Sequence, residues 1–310
     1  MLELPSMHSI LQELKLDIPT VCEEIEVLIR NTMKDLKKDG AVIGLSGGLD
    51  SAVTATLTVR SLGIERVQLI NLPEKDSKPI HKKHAKELAR FLGVKLKTKK
   101  ITPLVKAAKG YRLLPIGFIP SRRLRSFIVR FSKSRLLSQE EEEELLANRL
   151  QPAANSWIAK GNAYAVTKHR MRMVVLYQHA EVKNLMVVGA ANKTEWLTGT
   201  FSKWGVDHCA DVMPMIHIYR SQLEEIAEYL EVPNFIREKY ADPDVMPGID
   251  NKGAMLGSFS LVDKILVASE NGFTTSELYD IFGKKNVEKV LTLKKLSKQM
   301  RESPYYINKN

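Results

Sequence analysis

Val21, Ile25, Leu28, Ile29, Met33 and Leu36 recur at the three- and four-residue spacing of one helical face, and Gly40 follows as a stop. The short apolar run Ala41–Leu45 then predicts a strand. "DSAVTATLTVRSLG" returns to a helical pattern that ends at Gly63, and "RVQLINL" is a second strand, closed by Pro73. "KPIHKKHAKELARFLG" predicts a basic amphipathic helix ended by Gly93, and "VKLKTKKI" alternates as a third strand. Strands that alternate with helices in this order imply a parallel sheet with right-handed crossovers.

The rhythm breaks between Tyr111 and about Ala159. Arg122, Arg123, Arg125, Arg130, Lys133 and Arg135 crowd one segment, which then switches to Glu140–Glu144 behind a plausible helix N-cap at Ser138. Such a charge run predicts a solvated surface insertion whose charges pair with one another. The α/β pattern resumes with a long helix in "TKHRMRMVVLYQHAEVKN", a buried strand in "LMVVG", a short helix or loop in "NKTEWLTG" and a helix in "SQLEEIAEYLEVP" stopped by Pro233. "ADPDVMPGIDNKG" reads as a loop by composition, and short helices follow from Ser258. The expectation is a doubly wound α/β fold, a parallel sheet flanked by helices. It occupies residues 1–310 as one domain, with a basic helical insertion at about 111–159 and a helical C-terminal region at about 258–310.

The net charge of +11 on 310 residues favours anionic partners, and nucleotides satisfy it as well as nucleic acid does. Because the arginine-rich stretch is local, nucleic acid is the weaker expectation. Two cysteines, Cys22 and Cys209, without a CxxC pair, argue against a disulfide framework or a zinc site. The first ten residues lack the basic and apolar regions of a signal peptide, and no apolar run is long enough for a bilayer. A cytoplasmic protein that does not enter the membrane is expected.

Chemistry concentrates where the first strand meets the following helix, in "LSGGLDS". Glycines there let the backbone approach a phosphate, and a helix N-terminus offers unpaired N–H groups with a positive dipole end. Ser46 and Ser51 add hydroxyls. Asp50 would repel a bare phosphate, which makes sense if a divalent cation lies between them. No lysine follows Gly48, so the GxxxxGK[ST] loop of γ-phosphate transfer is absent. A lysine-free cradle suits a pyrophosphate that leaves as a unit.

That loop resembles the pyrophosphate loop of the N-type ATP pyrophosphatases, which activate a substrate as its adenylate. "TKHRMRMVVLY", "LMVVGAANKTEWLTGTFSKWG", "ADVMPM" and "SQLEEIAEYLEVP" resemble, in order and spacing, the ammonia-dependent NAD synthetases of that superfamily. The resemblance implies an adenine nucleotide alpha hydrolase-like fold and a homodimer that uses ATP, Mg²⁺, deamido-NAD and ammonia. It implies that Gly44, Ser46, Gly47, Gly48 and Ser51 hold the ATP phosphates, with Ala190 and Asp242 also at ATP. Asp50 and Glu195 would bind Mg²⁺ and act in catalysis with Arg220, which stands where the family has a lysine on ATP. Arg170, Lys203, Asp211 and Lys298 would meet deamido-NAD. The chain departs from the family at Ala190 and Asp242, which replace hydroxyl residues, and at Val166, which replaces an asparagine. Ser297 stands for the histidine of a C-terminal His-Lys pair.

Two rival readings share these residues. One is an adenylate-forming amide synthetase acting on a different carboxylic acid; the other is a non-catalytic module that binds nucleotide or RNA through the basic insertion. Plainer readings exist for single residues. Glu195 and Lys203 could be a surface ion pair, and Arg170 and Arg172 a solvated face. His81 and His84, one turn apart, read as a solvated helix face, Cys209 as incidental, and Trp157, Trp196 and Trp204 as packing residues.

Overall fold

The computed structural model describes residues 7–136, 145–206, 208–238 and 256–304. Ser138, Glu140–Glu144 and the loop 241–253 with Asp242 lie outside the described residues. In chain order, helices α1 (Met7–Glu13) and α2 (Ile18–Asp35) lead to strand β1 (Gly40–Gly44). Helix α3 (Leu49–Leu62), strand β2 (Val67–Asn71), helix α4 (Pro79–Phe91), strand β3 (Leu96–Thr98) and helix α5 (Thr102–Ala107) follow. The inserted region carries α6 (Arg122–Leu136) and α7 (Leu145–Leu150), before the long helix α8 (Trp157–Lys183), strand β4 (Leu185–Val188) and α9 (Lys193–Thr198). Then come α10 (Arg220–Tyr229), α11 (Asn234–Arg237), α12 (Phe259–Glu270), α13 (Thr275–Phe282), α14 (Lys284–Leu296) and α15 (Lys298–Arg301).

The strands form one parallel sheet in the order β3-β2-β1-β4. Period-2 alternation divides the core between its two faces. Ala41, Ile43, Leu69, Met186 and Val188 pack on one side with α2, α3, α4 and α10, whereas Val42, Ile70, Leu185 and Val187 pack on the other with α5 and α8. Both faces are covered, which is why the strands read as apolar runs. The C-terminal helices α12, α13 and α14 build a further cluster around Ile265, Leu266 and Val287, closed by Ile10 of α1. Among the described residues no helix is long and apolar enough to cross a membrane.

Several expectations change. The buried seam of α2 is Cys22, Ile25, Ile29 and Met33, and Leu28 and Leu36 are exposed. Helix α8 starts ten residues before Thr167, at a Ser156 N-cap whose side chain accepts the Ala159 N–H, so its first turn lies inside the expected insertion. Strand β3 keeps only three residues of the alternating run. His81 and His84 are buried rather than solvated, because α4 lies against the glycine turn after β1 and His84 packs on Phe235. Trp196 packs as expected, but Trp157 and Trp204 are exposed.

The insertion is not only a solvated, self-paired surface. Arg125 is 2% exposed and pairs at 2.8 Å with Asp76, in the loop after β2. The outer side of α6 does face solvent, where Phe127 and Phe131 interleave with Arg123 and Arg130.

Candidate active site

From β1 the chain steps outward to β2 and β3, then returns to place β4 on the opposite side of β1. The reversal leaves a crevice at the carboxyl ends of β1 and β4, the place where open α/β sheets bind ligands. The glycine turn is on its β1 side. Gly47 has φ +81°, and a Cβ there would fall on the carbonyl oxygen of His81 and 3.0 Å from the amide nitrogen of Ala85. Only glycine lets α4 pack so closely on this turn. The Ser46 and Ser51 hydroxyls are 3.0 Å apart; Ser51 donates to the Gly48 carbonyl at 3.0 Å, and the Gly48 N–H donates to Ser46 Oγ at 3.2 Å. Helix α3 starts from Gly48 without a side-chain cap. Its first-turn amides therefore have neither an intrahelical acceptor nor a capping oxygen from residue 48, the arrangement that suits an anion at a helix N-terminus. Gly44 lies at the end of β1, with Val206 packed against it.

On the other side, β4 runs through Gly189 and the half-buried Ala190 into α9. Asn192 joins the two sides. It is fully buried, its Oδ1 accepts the Glu195 N–H at 3.0 Å as the N-cap of α9, and its Nδ2 donates to Asp50 Oδ1 at 2.6 Å. In "NKTE" the charge of Glu195 draws attention and Asn192 passes unnoticed, although Asn followed three residues later by Glu is an N-terminal capping pattern. Asp263 of α12 adds a second tie that the pattern did not reveal. Fully buried, it accepts the Thr194 hydroxyl and the Ser221 N–H, and Thr194 Oγ1 in turn accepts the Arg220 N–H at 2.8 Å. Burial pushes the Asp263 carboxyl above its ordinary pKa, against the opposing pull of these hydrogen bonds. Asp263 thus fixes the first turns of α9 and α10 relative to each other, and with them Glu195 and Arg220. The Arg220 guanidinium is nearly buried, 5.4 Å from the Phe259 ring centre and 3.1 Å from Glu224.

The expected acid-binding residues divide into two places. Arg170 is exposed on α8 and donates to the Lys203 carbonyl at 3.4 Å, while Lys203 Nζ donates to the Gln299 carbonyl at 2.6 Å. Arg170, Lys203 and the start of α15 therefore come together. Lys298 itself is 75% exposed, 3.9 Å from Glu302. Ser297 is fully buried and ties α15 to α9, donating to the Leu197 carbonyl and accepting from Arg301. Asp211 is at the β4 edge instead, where it accepts the Val187 N–H at 2.7 Å and the Tyr177 hydroxyl at 3.2 Å. Tyr177 and Arg170 are seven residues apart on α8, so both places lie along one helical face. Cys209 is half-buried, and burial raises its thiol pKa, which is the opposite of activation.

The donor set fits a nucleotide with its magnesium. Mg²⁺ is commonly held by one or two carboxylates together with substrate phosphates. Asp50 beside the glycine turn and Glu195 in the first turn of α9, joined through Asn192, offer those two carboxylates. Among the described residues no group of three or more His, Cys, Asp or Glu forms a self-sufficient metal cage.

Known proteins resemble this chain along most of its length. The family model described as NAD synthase matches residues 21–114 and 132–304, leaving 115–131 between the two matched segments. An NH(3)-dependent NAD(+) synthetase of Thermotoga neapolitana is 36% identical over 285 residues, 92% of this chain and 94% of that protein. The protein of the same description from Coprothermobacter proteolyticus is 32% identical over 288 residues, 93% and 97% of the two chains. Two solved structures share the fold. They are an NMN synthetase from Francisella tularensis (TM-score 0.68, 22% identity, 95% of this chain and 100% of that one) and an NH3-dependent NAD synthetase from Campylobacter jejuni (0.65, 21%, 94% and 100%).

Proposed function

Because this chain belongs to the NAD synthase family, we propose that it makes NAD from deamido-NAD, ATP and ammonia. The observation that carries the reading is the junction at Asn192, which joins Asp50 beside the lysine-free glycine turn to the first turn of α9. A carboxylate does not condense with ammonia at neutral pH, because oxide would have to leave. Adenylation solves this. A substrate carboxylate oxygen attacks the α-phosphorus, the bond to the bridging oxygen of pyrophosphate breaks, ammonia then attacks the acyl carbon, and AMP departs.

The chain's own groups suit these steps. The first-turn amides of α3, with Gly44, Gly47, Gly48, Ser46 and Ser51, cradle the phosphates, and Ala190 adjoins ATP. Arg220 supplies fixed positive charge to the departing pyrophosphate. Asp50 and Glu195 hold Mg²⁺, which when bound offsets phosphate charge. Arg170, Lys203 and Lys298 bring positive charge to the phosphates of the dinucleotide. Asp211 spends two of its roughly four acceptor positions on Val187 and Tyr177 and keeps the others for a ribose hydroxyl. A homodimer is part of the proposal.

The test is a product assay with Mg-ATP, ammonium and deamido-NAD, followed by mass spectrometry and phosphorus NMR. The expected products are NAD, AMP and pyrophosphate in equal amounts. Steady ADP and phosphate would overturn the cleavage position. AMP formed with deamido-NMN or another acid, but not with deamido-NAD, would transfer the chain to a related amide synthetase. Salt-sensitive RNA binding without ATP turnover would favour the non-catalytic module.

A further inference from the structure

A buried charge network lies outside the set of residues assigned above. Glu74 and Asp76, in the loop that leaves β2 at the carboxyl end of the sheet, are both nearly fully buried. Lys168 of α8 is fully buried between them, 3.1 Å from Glu74 and 2.7 Å from Asp76. Arg125 of α6 pairs with the other Asp76 oxygen at 2.8 Å. Tyr111 donates to Glu74 at 2.7 Å, and Tyr164 of α8 donates to Asp76. Two cations therefore balance two carboxylates. Removing one partner from such a set leaves an uncompensated buried charge, so the elements that carry it are locked together.

Backbone contacts reinforce the lock. Arg122 Nε donates to the Asp76 carbonyl at 2.8 Å, Lys75 Nζ to the Gly117 carbonyl at 2.7 Å, and Arg172 Nε to the Leu72 carbonyl at 3.1 Å. Lys168 and Arg172 are one helical turn apart on α8, and Arg170 lies between them in sequence. The network thus fixes the length of α8 that presents Arg170 to the crevice. Arg122, Arg125 and Gly117 fall within residues 115–131, the stretch between the two segments that match the family model.

We propose that Arg125 is a positioning residue for the acid substrate: through Asp76 and Lys168 it uses the basic insertion to set Arg170 in place. The insertion is then a structural member of the dinucleotide site. This rests on the reading of Arg170 given above, and the ATP side of the crevice, built on β1 and α3, lies outside the network's contacts.

The experiment uses the full chain with Arg125→Met, Arg125→Lys, Tyr164→Phe and the exposed control Arg123→Met. Arg125→Met is expected to raise KM for deamido-NAD about tenfold, with KM for ATP held within about twofold, and Arg125→Lys to recover most of the loss. Tyr164→Phe, which deletes one hydroxyl at nearly constant volume, should raise the same KM several-fold, and Arg123→Met should leave both KM values unchanged. Hydrogen exchange of the amides of residues 164–174 should quicken in Arg125→Met and Tyr164→Phe. An unchanged KM for deamido-NAD in both variants, or an equal rise in both KM values, overturns the proposal. If Arg125→Met fails to fold, Tyr164→Phe decides by the same two readouts. If wild type does not turn over deamido-NAD, the functional reading fails alone; exchange in 164–174 then decides this proposal, supported by quickening and overturned by none.

Discussion

Replacing Asn192 by alanine removes two hydrogen bonds that serve different ends. The N-cap bond to Glu195 is worth about 1 kcal/mol, within a range of roughly 0.5–2. The 2.6 Å bond to Asp50 has an ionised acceptor, so it is worth about 1.5–3 kcal/mol, with the lower end appropriate because Asp50 is partly open to water. Together the loss should be about 2–4 kcal/mol, since the two bonds use different atoms of one side chain. Asn192→Asp separates the terms. Aspartate caps a helix as well as asparagine does, but it places a second carboxylate against Asp50. That variant should keep the capping contribution, lose activity, and become more dependent on Mg²⁺ for stability. Urea unfolding followed by tryptophan fluorescence, with Trp196 in α9 itself as one reporter, measures the first quantity; kcat/KM as a function of Mg²⁺ measures the second. An Asn192→Ala stability within about 0.5 kcal/mol of wild type would refute the packing argument. An Asn192→Asp enzyme with unaltered kcat/KM and unaltered Mg²⁺ dependence would refute the proposed role of the junction.

Asp50→Asn and Glu195→Gln should each lose most turnover, on the order of a hundredfold, with the urea midpoint near wild type for Glu195→Gln and a loss of about 1 kcal/mol for Asp50→Asn, whose bond from Asn192 becomes a neutral one; two variants with near wild-type rates would move the metal elsewhere. Arg170→Ala removes one charge-assisted contact and should lower kcat/KM for deamido-NAD about tenfold or more, read against an unchanged KM for ATP. Gly47→Ala forces a Cβ onto the His81 carbonyl at φ +81° and should cost about 1–3 kcal/mol in urea while raising KM for ATP. Burial opposes the charge on Asp76, but the Lys168 ammonium and the hydrogen bonds from Lys168 and Tyr164 outweigh it and hold its carboxyl below the ordinary range. The folded pKa is thus lower than the unfolded value of about 3.9, so this contribution is full above that pH and is lost as pH falls through the folded value. Asp76→Asn should therefore show a shallower loss of stability below about pH 4 than wild type in acid titrations.

Local signals carried much of this structure. Apolar runs bounded by Gly40, Gly63, Pro73 and Gly93 placed the first strands and helices within a few residues, because burial on both sheet faces demands such runs. The glycine turn was legible since its chemistry depends on consecutive residues. What escaped was long-range. The partners of Asp263 are 42 and 69 residues distant, and those of Asp76 lie 49, 88 and 92 residues away, so no window of sequence holds both ends. His81 and His84 looked solvated because the lysines around them are, yet the helix that carries them packs on the turn at Gly47 and His84 lies against Phe235, contacts from distant sequence. In the insertion, arginine spacing could not reveal that Arg125 turns inward while Arg123 faces water.

A sheet of four strands has two borders where unpaired N–H and C=O groups could template another chain. The β4 border is sealed from within, by the Val188–Val212 bridge and by the Asp211 carboxylate on the Val187 N–H. The β3 border, which pairs with no further strand among the described residues, is strewn with charge: Lys95, Lys97 and Lys100 are exposed on or beside a strand of three residues. Aggregation of this chain is therefore restrained by the chain's own hydrogen bonds at one side and by electrostatic repulsion at the other. Only the second defence weakens with salt, so colloidal stability at high ionic strength depends on the shortness of β3.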